Sequence, residues 1–233
     1  MRLDKLLSHS GYGTRKEVKK IIRNGYVDIN GKTIRKSDYQ IEPDKDEIMV
    51  DGEIINYQEK VYYMLNKPAG YVSATEDLYY PTVIDLIDDY RTDLFPVGRL
   101  DVDSEGLLLI TNDGKLAHDL TSPRKNCQKV YYCIIEGVLT EEIISLFQEG
   151  ITIDTGYTCK SALLKILTVT DEKSEAEVTI SEGKYHQVKK MFEAVGMKVS
   201  YLKRIQIKNL RLDPNLKKGE YKLLNDIELN SLM

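Results

Sequence analysis

Three carboxylates stand two residues apart in Gly98-Arg99-Leu100-Asp101-Val102-Asp103-Ser104-Glu105-Gly106, directly ahead of Leu107-Leu108-Leu109-Ile110 and the turn Asn112-Asp113-Gly114. Carboxylates crowded at the mouth of an apolar run are costly unless they are solvated, paired or used. Three chemistries are open to such a cluster. Calcium binding is the first, because Asp-x-Asp-x-Glu-Gly imitates the start of an EF-hand loop. It fails at the twelfth position, where Asn112 replaces the bidentate Glu, and at the preceding positions, which are strand-like. A glycosidase-type acid/base pair is the second, but carboxylates two apart on one strand face the same way, and that chemistry wants them on opposite sides of a sugar ring. The third is nucleophilic catalysis by one ionised carboxylate, which splits a hard step into easier ones. Such a group needs a cation partner in a closed pocket, since burial alone raises a carboxyl pKa. On these residues alone, the bland reading of turn and cap residues ahead of a strand stays open.

The elements that must position the cluster follow from periodicity. Leu107–Ile110, an apolar run between turn signals, reads as a buried strand that anchors it. Lys184–Val195 reads as a helix closed by Gly196, with Val188, Met191, Phe192 and Val195 at i, i+3, i+4, i+7 as its core face. Lys189 then sits at the edge of that face, about 100° round from Val188. Gln128–Ile135 is β-rich, residues 140–149 read as a helix capped at Thr140 and ended by Gly150, and two or three strands lie within 151–181. Val61–Leu65 reads as a strand, Asn66–Gly70 as a turn, Tyr71–Ala74 as extended again, and Pro81 as the first turn of a helix carrying Val83, Ile84, Leu86 and Ile87. A short helix over 115–120 ends by Pro123, strands lie near 198–213, and a polar helix closes the chain.

The first 59 residues form a separate pattern. Thr14-Arg15-Lys16-Glu17 fits a capping box opening a helix to Asn24, with Gly25 as its stop. Val18, Ile21 and Ile22 give that helix a core face, and Arg15, Lys16, Lys19, Lys20 and Arg23 a basic one. Asn30-Gly31 and Asp51-Gly52 mark two hairpins. We expect a small domain over 1–56, a linker at 57–60 and a larger domain over 61–233. Helices interspersed irregularly among strands argue for an α+β fold.

Composition narrows the function. The chain has 233 residues, 42% of them hydrophobic and 30% charged, as in a globular protein. No apolar run approaches the roughly 18–20 residues of a membrane span, and no signal peptide is evident. Three cysteines without CxxC spacing and three scattered histidines indicate neither a disulfide framework nor a metal site. The expected compartment is the cytoplasm. The net charge is −4, yet residues 1–36 carry ten Lys/Arg against three Asp/Glu and residues 183–222 carry eleven against three. Two basic blocks on an acidic background are a footprint of phosphate binding, although solvated helix faces give the same composition.

Two sets of motifs resemble known families. Arg2-Leu3-Asp4-Lys5-Leu6-Leu7, Gly11, Thr14-Arg15 and Gly25-Tyr26-Val27-Asp28-Ile29-Asn30-Gly31 resemble the S-four type RNA-binding domain, a small helix-rich module. Gly98-Arg99-Leu100-Asp101-x-Asp103-Ser104-x-Gly106-Leu107 resembles the signature of the RNA pseudouridine synthases. Asn66-Lys67-Pro68-Ala69-Gly70, Ser122-Pro123-Arg124, Lys129-Val130-Tyr131 and Glu182–Phe192 fall in that family's order. The branch resembled modifies ribosomal RNA and carries an N-terminal S-four domain, and the short chain without a basic tail looks most like its small-subunit enzymes. One departure is visible: the family usually has a glycine near Lys208-Asn209, which puts the local turn in doubt.

The resemblance implies a mixed or antiparallel sheet in the second domain and the isomerisation of a specific uridine to pseudouridine, by base flipping and an aspartate-dependent cleavage and re-joining of the glycosidic bond, in 16S ribosomal RNA, free or in a partly assembled small subunit. It assigns Asp101 as nucleophile, Lys189 as its cation partner and Tyr131 as the aromatic residue that packs on the base and removes the carbon 5 proton. Arg15, Lys16, Lys19, Lys20, Arg23, Arg99, Lys203 and Arg204 become RNA contacts. The reaction involves no redox change, so no cofactor and no metal are expected, and the protein is expected to act as a monomer away from membranes. His186, one position into its helix, is read as structural. The rival readings are a large-subunit enzyme of the same branch and an RNA-binding assembly factor without activity. Intact Asp101, Tyr131 and Lys189 speak against the latter.

Overall fold

The computed structural model describes all 233 residues, Met1–Met233. They divide into two compact units, Met1–Val61 with Ile87–Leu94, and Tyr62–Leu86 with Phe95–Met233. The division differs from a single cut at 57–60 in one segment. Ile87–Leu94 packs with the first unit, where Lys5 Nζ lies 3.0 Å from Asp93 and the Arg91 guanidinium stands 5.4 Å over the Tyr57 ring.

The first unit has helices α1 (Leu3–His9) and α2 (Arg15–Asn24) and an antiparallel sheet of β1 (Val27–Ile29), β2 (Lys32–Thr33), β3 (Ile48–Val50) and β4 (Glu53–Ile54) in the order β2-β1-β3-β4. The capping box at Thr14 and Glu17 is present, and Gly25 closes α2 in the left-handed conformation at φ 83°. Val18 and Ile22 are buried with Leu3, Leu6, Leu7, Val27 and Ile48, while Arg15, Lys16, Lys20 and Arg23 face solvent and Lys19 is half-buried. The helix is thus held by its apolar stripe and presents its basic one.

The second unit is built on β5 (Tyr62–Lys67), β6 (Phe95–Val97), β7 (Glu105–Thr111), α3 (Gly114–Thr121), β8 (Lys129–Glu136), α4 (Glu141–Glu149), β9 (Leu163–Val169), β10 (Lys173–Ile180), α5 (Gln187–Ala194), β11 (Lys198–Ile207), β12 (Leu210–Arg211), β13 (Tyr221–Leu223) and α6 (Asp226–Asn230). Its sheet runs β13-β5-β7-β11-β8-β10-β9, with β6 on β7 and β12 on β11. Every pairing is antiparallel except β7 with β11, so the architecture is α+β with a mixed sheet. All seven residues of β7 are buried. No helix is long and apolar enough to cross a membrane.

Four local expectations are corrected. Asn66 and Lys67 continue β5 rather than turning, because β7 pairs with them as far as Gly106. Tyr71–Ala74 forms only a single bridge, Val72 to Thr82. The segment after Pro81 makes one 3-10 turn, Val83–Leu86, before the chain passes to the first unit at Ile87. Helix α5 begins at Gln187, not Lys184, because His186 is left-handed at φ 55°, and the Gln187 side chain accepts the Lys184 N–H at 2.9 Å ahead of it.

The missing glycine also has a visible consequence. Lys208 takes φ 48° in the β11–β12 turn, a conformation costing a non-glycine residue about 1–2 kcal/mol. Its ammonium donates to the carbonyls of Leu232 at 2.6 Å and Met233 at 2.8 Å, which offsets part of that strain.

Candidate active site

The carboxylate cluster separates by partner. Asp101 lies with Oδ1 3.3 Å from His186 Nε2 and Oδ2 3.4 Å from Lys189 Nζ. Asp103 takes the same ammonium more closely, at 2.6 and 2.8 Å. Glu105 points elsewhere, accepting from the Tyr201 hydroxyl at 2.6 Å and pairing with Lys218 at 2.7 Å. The three side chains therefore do not converge on one point, as a calcium loop would require. Burial works to raise the Asp103 carboxyl, but the hydrogen bond and charge of Lys189 outweigh it and hold that group below its ordinary range. Burial works likewise to neutralise Lys189, and its hydrogen bond to Asp103 with the charge of Asp101 more than reverses it, so its pKa is raised. One ammonium thus serves two carboxylates.

The turn that carries Asp101 is gathered by a residue from another strand. Lys67, fully buried at the end of β5, donates to the carbonyls of Ser104 at 2.8 Å, Asp101 at 3.0 Å and Pro68 at 3.1 Å, with Val102 at 3.4 Å. Ser73 adds a second clamp, its hydroxyl donating to Leu100 O and accepting from Leu100 N, each at 3.0 Å. Carbonyls converging on one cation replace the water it has lost.

Lysine 67 titrates within reach of experiment. Burial pushes its pKa down from 10.5 to about 8, against the opposing charges of Asp103, Asp101 and Glu105. Above about 8 the folded chain releases this proton while the unfolded chain holds it to 10.5. The unfolded state then binds more protons, so this group makes folding more favourable as pH rises from about 8 to 10.5. The turn that carries Asp101 responds in the opposite sense, because a neutral amine has two donors for carbonyls that an ammonium serves with three. The turnover rate at saturating substrate should fall several-fold as pH rises through about 8, with no matching drop in the thermal midpoint. A flat single-turnover profile between pH 7 and about 9.5 would refute this role for Lys67.

Tyr131 and Arg204 occupy a common row of the sheet. Gly106 of β7 pairs with Arg204 of β11, which pairs with Tyr131 of β8, which pairs with Val178 of β10. Tyr131 is 9% exposed and Arg204 only 3%. Arg204 Nε donates to Leu107 O at 2.8 Å. The expectation that Arg204 is a surface RNA contact is therefore corrected: its alternation on β11 turns it inward to satisfy a backbone carbonyl. Lys203 is half-buried, and Arg99 is exposed beside Leu100.

The Lys189 end of the site is held by a buried polar network. Glu182, 5% exposed, accepts from the Tyr157 hydroxyl at 2.8 Å, the Lys160 N–H at 2.9 Å and Gln187 Nε2 at 2.9 Å. Phe192 packs on Phe147 with ring centroids 4.8 Å apart, fixing the core side of α5.

Residues 61–194 match the family model described as RNA pseudouridylate synthase, and residues 1–48 match the S4 domain. The chain belongs to the RNA pseudouridine synthase family. Across its full length it is 47% identical to the uncharacterized RNA pseudouridine synthase YtzG of Bacillus subtilis (strain 168), covering 98% of that protein. It is 37% identical to ribosomal small subunit pseudouridine synthase A of Escherichia coli (strain K12), with each chain fully covered. A solved structure, described as that of a pseudouridylate synthase, superposes with a TM-score of 0.70 at 38% identity, again over all of both chains.

As an RNA pseudouridine synthase, the protein is an isomerase that detaches uracil N1 from the ribose and rejoins the base through carbon 5. Its site geometry brings together Asp101 and Lys189, two of the residues singled out from sequence. Two more were passed over. Lys67 looked like part of a turn, and its motif alone pointed to it. His186 was assigned a structural part, because its left-handed backbone, which aims the ring at Asp101, has no local signature.

Proposed function

We propose that this pseudouridine synthase modifies a specific uridine of 16S ribosomal RNA, with Asp101 as the nucleophile. The observation that carries the mechanism is the placement of the Asp101 carboxylate against Lys189 Nζ at 3.4 Å, on a turn gathered by a buried lysine. An ionised, oriented carboxylate supplies the covalent catalysis that glycosidic cleavage needs. Asp101 attacks the target nucleotide, the bond between N1 and the ribose breaks, and the freed uracil turns so that carbon 5 meets the sugar. The carbon 5 proton leaves through Tyr131 or a water beside it, N1 takes up a proton in its place, and the carboxylate is released. Atoms and electrons balance within the nucleotide, so no oxidant or outside group enters.

Reaching a stacked uridine means flipping it out, at a few kcal/mol. The basic face of α2, with Arg15, Lys16, Lys19, Lys20 and Arg23, supplies phosphate contacts that offset this, assisted by Arg99 and Lys203. Such contacts are salt-sensitive and independent of sequence. The choice of small-subunit RNA is supported by full-length relatives of that name at 37% and 39% identity.

Tritium release from transcripts labelled at uracil carbon 5 tests the reading. Release is expected from 16S RNA, alone or with small-subunit proteins, and not from 23S RNA. Release from 23S RNA only would move the protein to the large-subunit branch, and release from neither would make it a binding factor.

A further inference from the structure

We propose that His186 is a positioning residue that fixes the rotation of the Asp101 carboxylate, an inference that rests on Asp101 being the reacting group. Lys189 alone leaves that rotation loosely defined, since its ammonium sits at 2.6 and 2.8 Å from Asp103 but 3.4 Å from Asp101 Oδ2. His186 Nε2 engages the other oxygen, Oδ1, at 3.3 Å. With a nitrogen against each oxygen, turning about the Cβ–Cγ bond lengthens a contact in either direction.

The chain around His186 is arranged to aim its ring. The backbone is left-handed at φ 55°, a conformation uncommon outside glycine and strained enough to persist only where its surroundings impose it. The surroundings here are the buried Glu182–Gln187 pair behind it and the His186 carbonyl, which accepts the Lys190 N–H at 3.0 Å. The imidazole is stacked on the Tyr185 ring, with centroids 3.8 Å apart and planes 19° apart. Lys190, itself held by Asp154 at 2.9 Å, stands 5.7 Å over the same tyrosine ring. Tyr185 is 73% exposed and the His186 side chain is a third exposed, so neither ring contributes to the core. Backbone strain with no core packing in return fits a ring placed for its contact with Asp101. The charged groups around it are Asp101, Asp103 and Lys189, and Nε2 donates whenever it carries its proton.

Two substitutions separate this role from a structural one. Asparagine tolerates the left-handed backbone, but its amide stops short of Asp101. Glutamine carries its amide nitrogen to about the place of Nε2. Full-length wild type, His186→Asn and His186→Gln are compared in single-turnover tritium release with enzyme in excess over labelled RNA, below each protein's unfolding midpoint, alongside RNA Kd by filter binding. His186→Asn should slow the saturated rate by about 10- to 100-fold, the range for losing one polar contact to a charged group. Its Kd should be unchanged, and His186→Gln should recover most of the rate. The proposal is overturned if the Asn variant reacts at the wild-type rate, if both variants are impaired equally, or if the loss lies in Kd. Asp101→Asn is run in parallel, because an active Asp101→Asn protein would sink the nucleophile assignment instead and is read separately.

Discussion

Asp101→Asn is expected to reduce tritium release from labelled RNA by about four orders of magnitude or more, the scale on which removing a covalent catalyst acts. An amide of the same shape keeps the volume of the side chain and loses its nucleophilic charge. The fold should survive, because the Asp101 side chain is partly exposed and Lys189 keeps Asp103 as a partner at 2.6 Å. RNA affinity should hold or rise slightly, since one negative charge leaves a site that receives a polyanion. Asp103→Asn is the internal comparison. It removes the nearer partner of Lys189 but no reacting group, so its effect should be smaller by at least two orders of magnitude. Equal losses in the two variants would mean that the pair of carboxylates acts only by holding Lys189, and the assignment of Asp101 would fail.

Gly106→Ala is the second large effect, and it falls on folding. Gly106 has φ 100°, and a Cβ there would overlap the Arg204 carbonyl oxygen and lie 2.9 Å from the Arg204 nitrogen and 2.8 Å from Lys203 Cγ. The two backbone atoms belong to the strand paired with Gly106, so a rotamer change cannot relieve them. Overpacking of about 1–3 kcal/mol adds to about 1–2 kcal/mol of left-handed strain. Against a typical total of about 5–15 kcal/mol, that is enough to lower the thermal midpoint by many degrees. Calorimetry on the full chain should show the transition of the second unit moved down. An unshifted thermogram would show that β7 and β11 can part locally without loss.

What could be read from the sequence was what is decided locally. The capping box at Thr14 and Glu17, the stop at Gly25 and the hairpins at Asn30-Gly31 and Asp51-Gly52 depend on neighbours a few residues away, and all are present. The apolar run 107–110 was legible as a buried strand because nothing else accommodates four such residues between turns. Lys67 was not, because three of its four carbonyl partners lie at 101–104, on a segment that only tertiary folding brings near. Arg204 was misplaced because a strand's inward face is set by its partners: β11 lies between β7 and β8, and its alternation buries an arginine that composition would put outside. The start of α5 was missed because His186 takes the left-handed conformation at φ 55°, which interrupts the helical backbone and has no local signature.

Strand β11, residues 198–207, lies between β7 and β8 in the sheet. Residues made late in synthesis therefore separate two parts made earlier, β5-β7 on one side and β8-β10-β9 on the other, and β13 joins the outer edge of β5 later still. The row Gly106–Arg204–Tyr131 exists only once β11 has been inserted. Contacts of such long sequence separation form slowly. A nascent chain stopped short of residue 198 holds Asp101, Tyr131 and Lys189 in its sequence but lacks the strand that joins β7 to β8, so the sheet that carries Gly106 and Tyr131 in one row is completed only late in synthesis.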